Sequence, residues 1–220
     1  MAGKKKIIVY STAEERINVF THGSGVIFSI IACSLMLFRA IRSGDITQVA
    51  GAGVFGLSLI LLYTASTVYH ASTPGKRREY LQIFDHASIY FLIAGTYTPY
   101  TLITLQGRQG WILFAVIWGL ALTGIIIKLF FTGRYEVLLT LMYVFMGWII
   151  VLKLDMLTER LSVPGVLLLF GGGIAYTLGA VIYGIKKIKF NHAIFHLFVL
   201  AGSACHFISV YRYVLNGGQG

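Results

Sequence analysis

Charge is what this chain has least of. Asp, Glu, Lys and Arg together make up 12% of its 220 residues, against roughly 25% in a soluble globular domain. So few charged side chains cannot cover a globule with a solvated surface. Disorder is excluded as well, because 57% of the residues are hydrophobic. Two cysteines exclude a disulfide-stapled scaffold, and three prolines exclude a proline-rich linker. Alternating polarity, the mark of a transmembrane β-barrel, is missing too. Runs such as GLSLILLY and VLLLFGGGIAY are apolar without alternation. The formal net charge of +10 does not indicate nucleic acid as a partner, because the basic residues lie in short clusters between apolar runs. Clusters so placed face lipid headgroups. The composition therefore describes an all-α integral membrane protein whose partners are membrane lipids.

Seven apolar stretches are present, at residues 19–41, 49–69, 87–105, 111–131, 137–154, 163–184 and 192–215. Each supplies roughly the 17–25 residues that a spanning helix needs. The expectation is a seven-transmembrane-helix bundle over 19–215, preceded by a cytoplasmic segment at 1–18 and followed by a short tail at 216–220. The 25 glycines fit helices that approach closely in lipid. Pro74 and Pro164 fall near span ends, while Pro99 lies inside the third span and is expected to kink it.

Residues 4–6 are lysines, but the apolar run after them is only four residues long and is followed by Glu14, Glu15 and Arg16. This does not read as a signal peptide. Ser11 with Glu14, or Thr12 with Glu15, forms a candidate capping box, so a helix is expected to start there, run along the interface and turn into the first span. Seven spans put the termini on opposite sides. Twelve of the 18 Lys and Arg residues then fall on the N-terminal side, with clusters at 76–78 and 186–189, and six on the other. The positive-inside rule places the N-terminus in the cytoplasm and the C-terminus outside.

Ionisable residues at membrane depth are costly and therefore few. Four share one depth, near the cytoplasmic face. His70 closes the second span, Asp85 opens the third, and His192 and His196 open the seventh. His192 and His196 are four residues apart, so both rings leave one helical face, and two imidazoles on one face can reach one metal ion. With His70 they would complete a three-histidine site with an open fourth position. Zinc held this way keeps a water there and lowers its pKa to about 7. Asp85 has three available roles: orienting that water, taking its proton, or fixing a ligand ring. Ser66, one turn before His70, can bond a substrate or Asp85. Glu15, Asn18 and His22 form a polar stripe on the first span that can support this layer from beside it.

Each residue also has a plainer reading. Histidines near helix ends can sit among headgroups, Asp85 can cap the third span, and Ser66 can bond its own backbone. The Glu15, Asn18 and His22 stripe can simply be interfacial. His206 lies ten residues past His196, about 15 Å further along the helix. It cannot share a metal with that pair, and interhelical hydrogen bonding is the better reading of it. Cys33 and Cys205 are too deep for the layer and read as small apolar residues. Tyr97, Tyr100, Trp111 and Trp148 read as aromatic-belt or packing residues.

The ordered set Glu15-x-x-Asn18-x-x-Thr21-His22, Ser66-x-x-x-His70, Phe84-Asp85-His86 with Gly95-Thr96-Tyr97-Thr98-Pro99, and His192-x-x-x-His196 resembles the hemolysin III family. Its members are bacterial relatives of the progestin and adiponectin receptors. The resemblance covers nearly the whole chain. It implies a seven-helix bundle with a cytoplasmic N-terminus and zinc held by His70, His192 and His196, with Ser66 and Asp85 in the same polar cluster. It also suggests a relation to alkaline ceramidases, which share a Ser, Asp and three-His arrangement.

The reading these features support is a zinc-dependent hydrolase of a lipid amide or ester, with Asp85 as proton acceptor and Ser66 as positioning group. A non-enzymatic lipid-sensing protein with structural zinc is the alternative from another class. A pore-forming cytolysin is a third. A pore would want polar residues through the full depth of several helices, whereas here they gather at one end.

Overall fold

The computed structural model describes residues 10–131 and 136–215. Residues 1–9, 132–135 and 216–220 lie outside the described residues, and with them Lys4, Lys5, Lys6, Arg134 and the expected C-terminal tail. Every regular element among the described residues is helical. In chain order they are α1 (Thr12–Ser43), α2 (Ile46–Ala71), α3 (Lys76–Pro99), α4 (Gly107–Phe130), α5 (Glu136–Trp148), α6 (Leu154–Arg160), α7 (Val163–Gly184) and α8 (Asn191–Ser209). A π-helical turn, Tyr100–Leu105, extends α3, and another, Val210–Val214, extends α8. A 3₁₀ stretch, Ile149–Lys153, joins α5 to α6.

The first hairpin shows how local chemistry sets these bounds. The Ser11 hydroxyl accepts from the Glu14 backbone N–H and starts α1. Among the described residues only this half of the expected capping box is formed, and Glu14 Oε1 has no hydrogen-bond partner there. From Thr12 the chain continues into the first span as one unbroken helix of 32 residues. Gly44 ends it in the left-handed region at φ 73°, and its N–H returns to Ile41 O. Asp45 then accepts from the Thr47 N–H at 2.8 Å and starts α2. Two residues thus turn the chain back on itself.

Among the described residues, six stretches are long and apolar enough to cross a bilayer: Thr12–Ser43, Ile46–Ala71, Gly107–Phe130, Leu138–Arg160, Val163–Gly184 and Asn191–Val214. Their outer faces carry large apolar side chains, with Phe20 77% and Leu152 78% exposed. Water would penalise such a surface and lipid does not. The chain is a multi-pass membrane protein.

The expected third span, 87–105, is not among the six. It belongs to α3 and its π extension, and α3 packs between α2 and α4. Its Asp85, Ser88, Thr96 and Thr98 are all buried. A helix walled by other helices needs few lipid-facing residues, which fits the low hydropathy of α3. Pro99 marks where α3 gives way to the π turn. The Tyr97 hydroxyl donates to Met146 O at 2.7 Å and accepts from the Ile150 N–H at 2.9 Å. A side chain inserted in this way breaks the α-helical ladder, which accounts for the 3₁₀ stretch after α5. Tyr97 and Tyr100 are therefore packing residues, while Trp111, 57% exposed, suits the belt.

Candidate metal centre and the cavity beside it

α2 delivers His70 in its last turn and α8 delivers His192 and His196 in its first two. The i, i+4 spacing on α8 turns both rings toward α2. His192 Nε2 lies 3.0 Å from His70 Nε2 and 3.0 Å from His196 Nε2. The three rings form the metal-competent group, all buried, with ligand atoms within 4.8 Å of one another. Three nitrogens bound at about 2.0–2.1 Å around a tetrahedral zinc would stand roughly 3.3 Å apart. His206 lies outside this group, as its position ten residues further on requires.

The far side of each ring tests whether the donors suit a cation. His70 Nδ1 is 2.6 Å from Glu15 Oε2, so Nδ1 carries the proton and Nε2 presents a lone pair. Asn18 Nδ2 sits 3.3 Å from the same atom. The Thr21 hydroxyl is 3.3 Å from His196 Nδ1, and its one proton is taken up by the backbone carbonyls of Ile17 and Asn18, at 2.9 and 3.1 Å. It therefore accepts from His196, whose Nε2 is likewise left with a lone pair. The single proton of His192 can serve only one of the two lone pairs it faces, and with Nδ1 unpartnered the ring is free to supply a third. A cation satisfies all three nitrogens at once, so the donor set fits a metal.

Glu15 is itself held. The buried Arg78 guanidinium pairs with Glu15 Oε1, donates to Ser72 O at 2.6 Å and to Tyr69 O at 3.2 Å, and lies 4.6 Å above the Tyr69 ring. Arg78, Glu15 and His70 make one connected line. Of the expected supporting stripe, Glu15 and Asn18 reach His70. Among the described residues His22 bonds to no metal-site ring and both its nitrogens lack partners; it stacks on His196 at 3.4 Å between centroids. Tyr10 stacks on His192 from the opposite side, at 4.7 Å.

One cavity of about 180 Å³ opens beside this layer. His22, Ser66, Asp85, His192 and His196 line one end. Asp85 lies more than two turns inside α3, whose N-cap is Gly75, so its reading as a helix cap is excluded. Asp85 shares the cavity wall with Ser66 and Lys128. The Ser66 hydroxyl has no hydrogen-bond partner among the described residues. The walls beyond are apolar, among them Leu62, Ile89, Leu92, Leu139, Val144, Leu169 and Val199, and His206 stands deeper, with Tyr176 beside it. The expected interhelical hydrogen bond of His206 is not formed: its Nδ1 has no partner among the described residues.

Arg78, Thr21 and Lys128 were not singled out as site residues from sequence. Signals for them existed. Thr21 follows Asn18 by three residues on the polar stripe. Arg78 precedes Asp85 by seven, two turns along the same face. Lys128 completes the inward stripe Gly110, Leu113, Ile117, Ala121, Gly124 of α4 and is buried. Arg78, clustered with Lys76 and Arg77, and Lys128, at the end of an apolar run, looked like headgroup charges.

The family model described as Haemolysin-III related matches residues 10–207. Hemolysin-3 of Bacillus cereus is 47% identical over 202 residues, covering 92% of each chain. The Hemolysin-3 homolog of Bacillus subtilis (strain 168) is 43% identical over 205 residues, covering 93% of this chain and 96% of its own. Monocyte to macrophage differentiation factor of Homo sapiens is 29% identical over 209 residues, covering 91% of this chain and 84% of its own. No solved structure matches the chain.

Proposed function

The chain belongs to the haemolysin-III-related family, and from that premise we propose that it is a zinc-dependent hydrolase of a lipid amide or ester. One observation carries the reading: three imidazole nitrogens converge in the wall of an otherwise apolar cavity, beside a buried carboxylate. His70, His192 and His196 would hold the metal. When bound, zinc supplies Lewis acidity, polarising a carbonyl and acidifying water.

The chain's own groups supply the rest. Asp85 takes the proton from the attacking water and returns it to the leaving group, the usual double duty of a general base and acid. Its burial at 6% exposure keeps bulk water from competing for that proton. Ser66, on the same wall, hydrogen-bonds the substrate's polar head with a hydroxyl that has no partner among the described residues. Glu15 and Thr21 hold the His70 and His196 rings in the tautomer that offers Nε2. The cavity, about 180 Å³ and walled mostly by apolar side chains, suits an acyl chain.

The same reading takes α3 as the third of seven spans, with the N-terminus cytoplasmic. The basic clusters at 76–78 and 186–189 and the interior position of α3 support it.

The test is purified zinc-loaded protein incubated with a panel of ceramides and phospholipids, with free fatty acid measured. Asp85→Asn removes the base and keeps the shape. Hydrolysis is expected to fall by roughly 10²–10⁴-fold while zinc content holds. Full activity in Asp85→Asn removes the catalytic assignment. No release from any lipid by the wild type favours lipid sensing with structural zinc.

A further inference from the structure

We propose that His206 forms a second, inner polar subsite, which binds a hydroxyl group carried mid-chain on the lipid ligand. This deepens the hydrolase reading and rests on its premise that the cavity takes an acyl chain with its carbonyl at the histidine layer.

His206 is 4% exposed and lines the cavity. Its Nδ1 has no hydrogen-bond partner among the described residues. A buried polar nitrogen left unmatched is costly, so its retention calls for a partner that arrives from elsewhere. The ring is also held in place. Gly172 of α7 lies directly against it: a Cβ there would come 2.6 Å from His206 Nε2. The Tyr176 ring packs beside it, centroids 5.3 Å apart. The Tyr176 hydroxyl is fixed by Ser203 Oγ at 2.9 Å, and Ser203 in turn by the Tyr63 hydroxyl at 2.7 Å. A packed network on α2, α7 and α8 thus surrounds one unmatched imidazole.

Ligand class follows from place and chemistry. His206 stands ten residues beyond His196 on the regular part of α8, about 15 Å of helical rise. The lining between is mostly apolar, so a charged group there is unfavourable. A neutral imidazole offers one donor and one acceptor. A hydroxyl, which donates and accepts, matches either tautomer, whereas a ketone matches only a ring N–H. The ligand so described is a single-chain lipid with a hydroxyl roughly midway along its acyl chain.

The experiment measures binding, not turnover. Octadecanoic acid, the same acid with a mid-chain hydroxyl, and the acid with its hydroxyl next to the carboxyl compete against a fluorescent fatty acid on zinc-loaded protein. The mid-chain hydroxy acid is expected to bind about 5–10-fold more tightly than the other two, the worth of one net hydrogen bond. His206→Leu should abolish that preference, and His206→Gln should keep part of it. Should His206→Leu fail to fold, His206→Phe, which keeps the ring shape, carries the same comparison. Equal affinity for all three acids in the wild type overturns the subsite and leaves an internal water only. Preference surviving His206→Leu or His206→Phe overturns it too, as does failure of every acid to bind. Preference without any hydrolysis would sink the hydrolase reading alone. Hydrolysis without preference would sink this subsite alone.

Discussion

Glu15→Gln is the substitution on which the geometry around His70 can be judged. In the native protein one carboxylate serves two buried partners. It accepts from His70 Nδ1 at 2.6 Å and pairs through its other oxygen with Arg78. The His70 side chain is 0% exposed and that of Arg78 4%, while Glu15 keeps 18%. The amide of glutamine can still accept from His70, but it carries no charge and cannot answer Arg78. Two losses follow. The imidazole loses the anion that made Nε2 a stronger donor, and removal of such a partner typically costs 10–100-fold in metal affinity. Arg78 loses its only counter-ion among the described residues. Breaking a buried pair costs about 3–5 kcal/mol, and the partial exposure of Glu15 puts this case at roughly 2–3 kcal/mol. The two losses separate in Glu15→Gln/Arg78→Met, where no charge is left uncompensated. Thermal stability should largely return in the double variant, and zinc affinity should not. Zinc affinity is read by competition with a chelator of known strength, and stability by melting in detergent. Wild-type zinc affinity in Glu15→Gln would refute the claim that this carboxylate tunes the metal site.

Two further expectations concern the metal and the topology. Purified protein should carry about one zinc per chain by elemental analysis; the His192→Ala/His196→Ala variant should carry none and His206→Ala should carry the full amount, so full occupancy in the double variant sinks the site. A cysteine placed at Gly75, in a Cys33→Ala/Cys205→Ala background, should be labelled by an impermeant reagent only from the cytoplasmic side, and one at Gly218 only from outside. The opposite pattern would move the histidine layer to the other face of the membrane.

The sequence by itself determined that the chain lives in a bilayer, because too little charge leaves no other way to hide its apolar surface. It also led to the expectation of His70, Asp85, His192 and His196 in one layer, and the structure brings the three histidines together with Asp85 on the wall of the adjoining cavity. The pair His192 and His196 was legible because i, i+4 spacing is a fixed angle on any helix. Rotation of one helix against another is not written in spacing, and the tertiary structure alone decided it. It turned Arg78 inward from a cluster that resembles headgroup charges, and gave Glu15 to His70 and Thr21 to His196. It stacked His22 on His196 instead of bonding it to a ligand, and left His206 without the helix-to-helix bond its depth suggested. Packing also made α3 an interior helix, which its mixed composition could not announce. Depth is a one-dimensional property and survives in sequence. Which side chains meet at that depth depends on how the helices pack, where small residues such as Gly172 let a backbone come close enough to choose the partner.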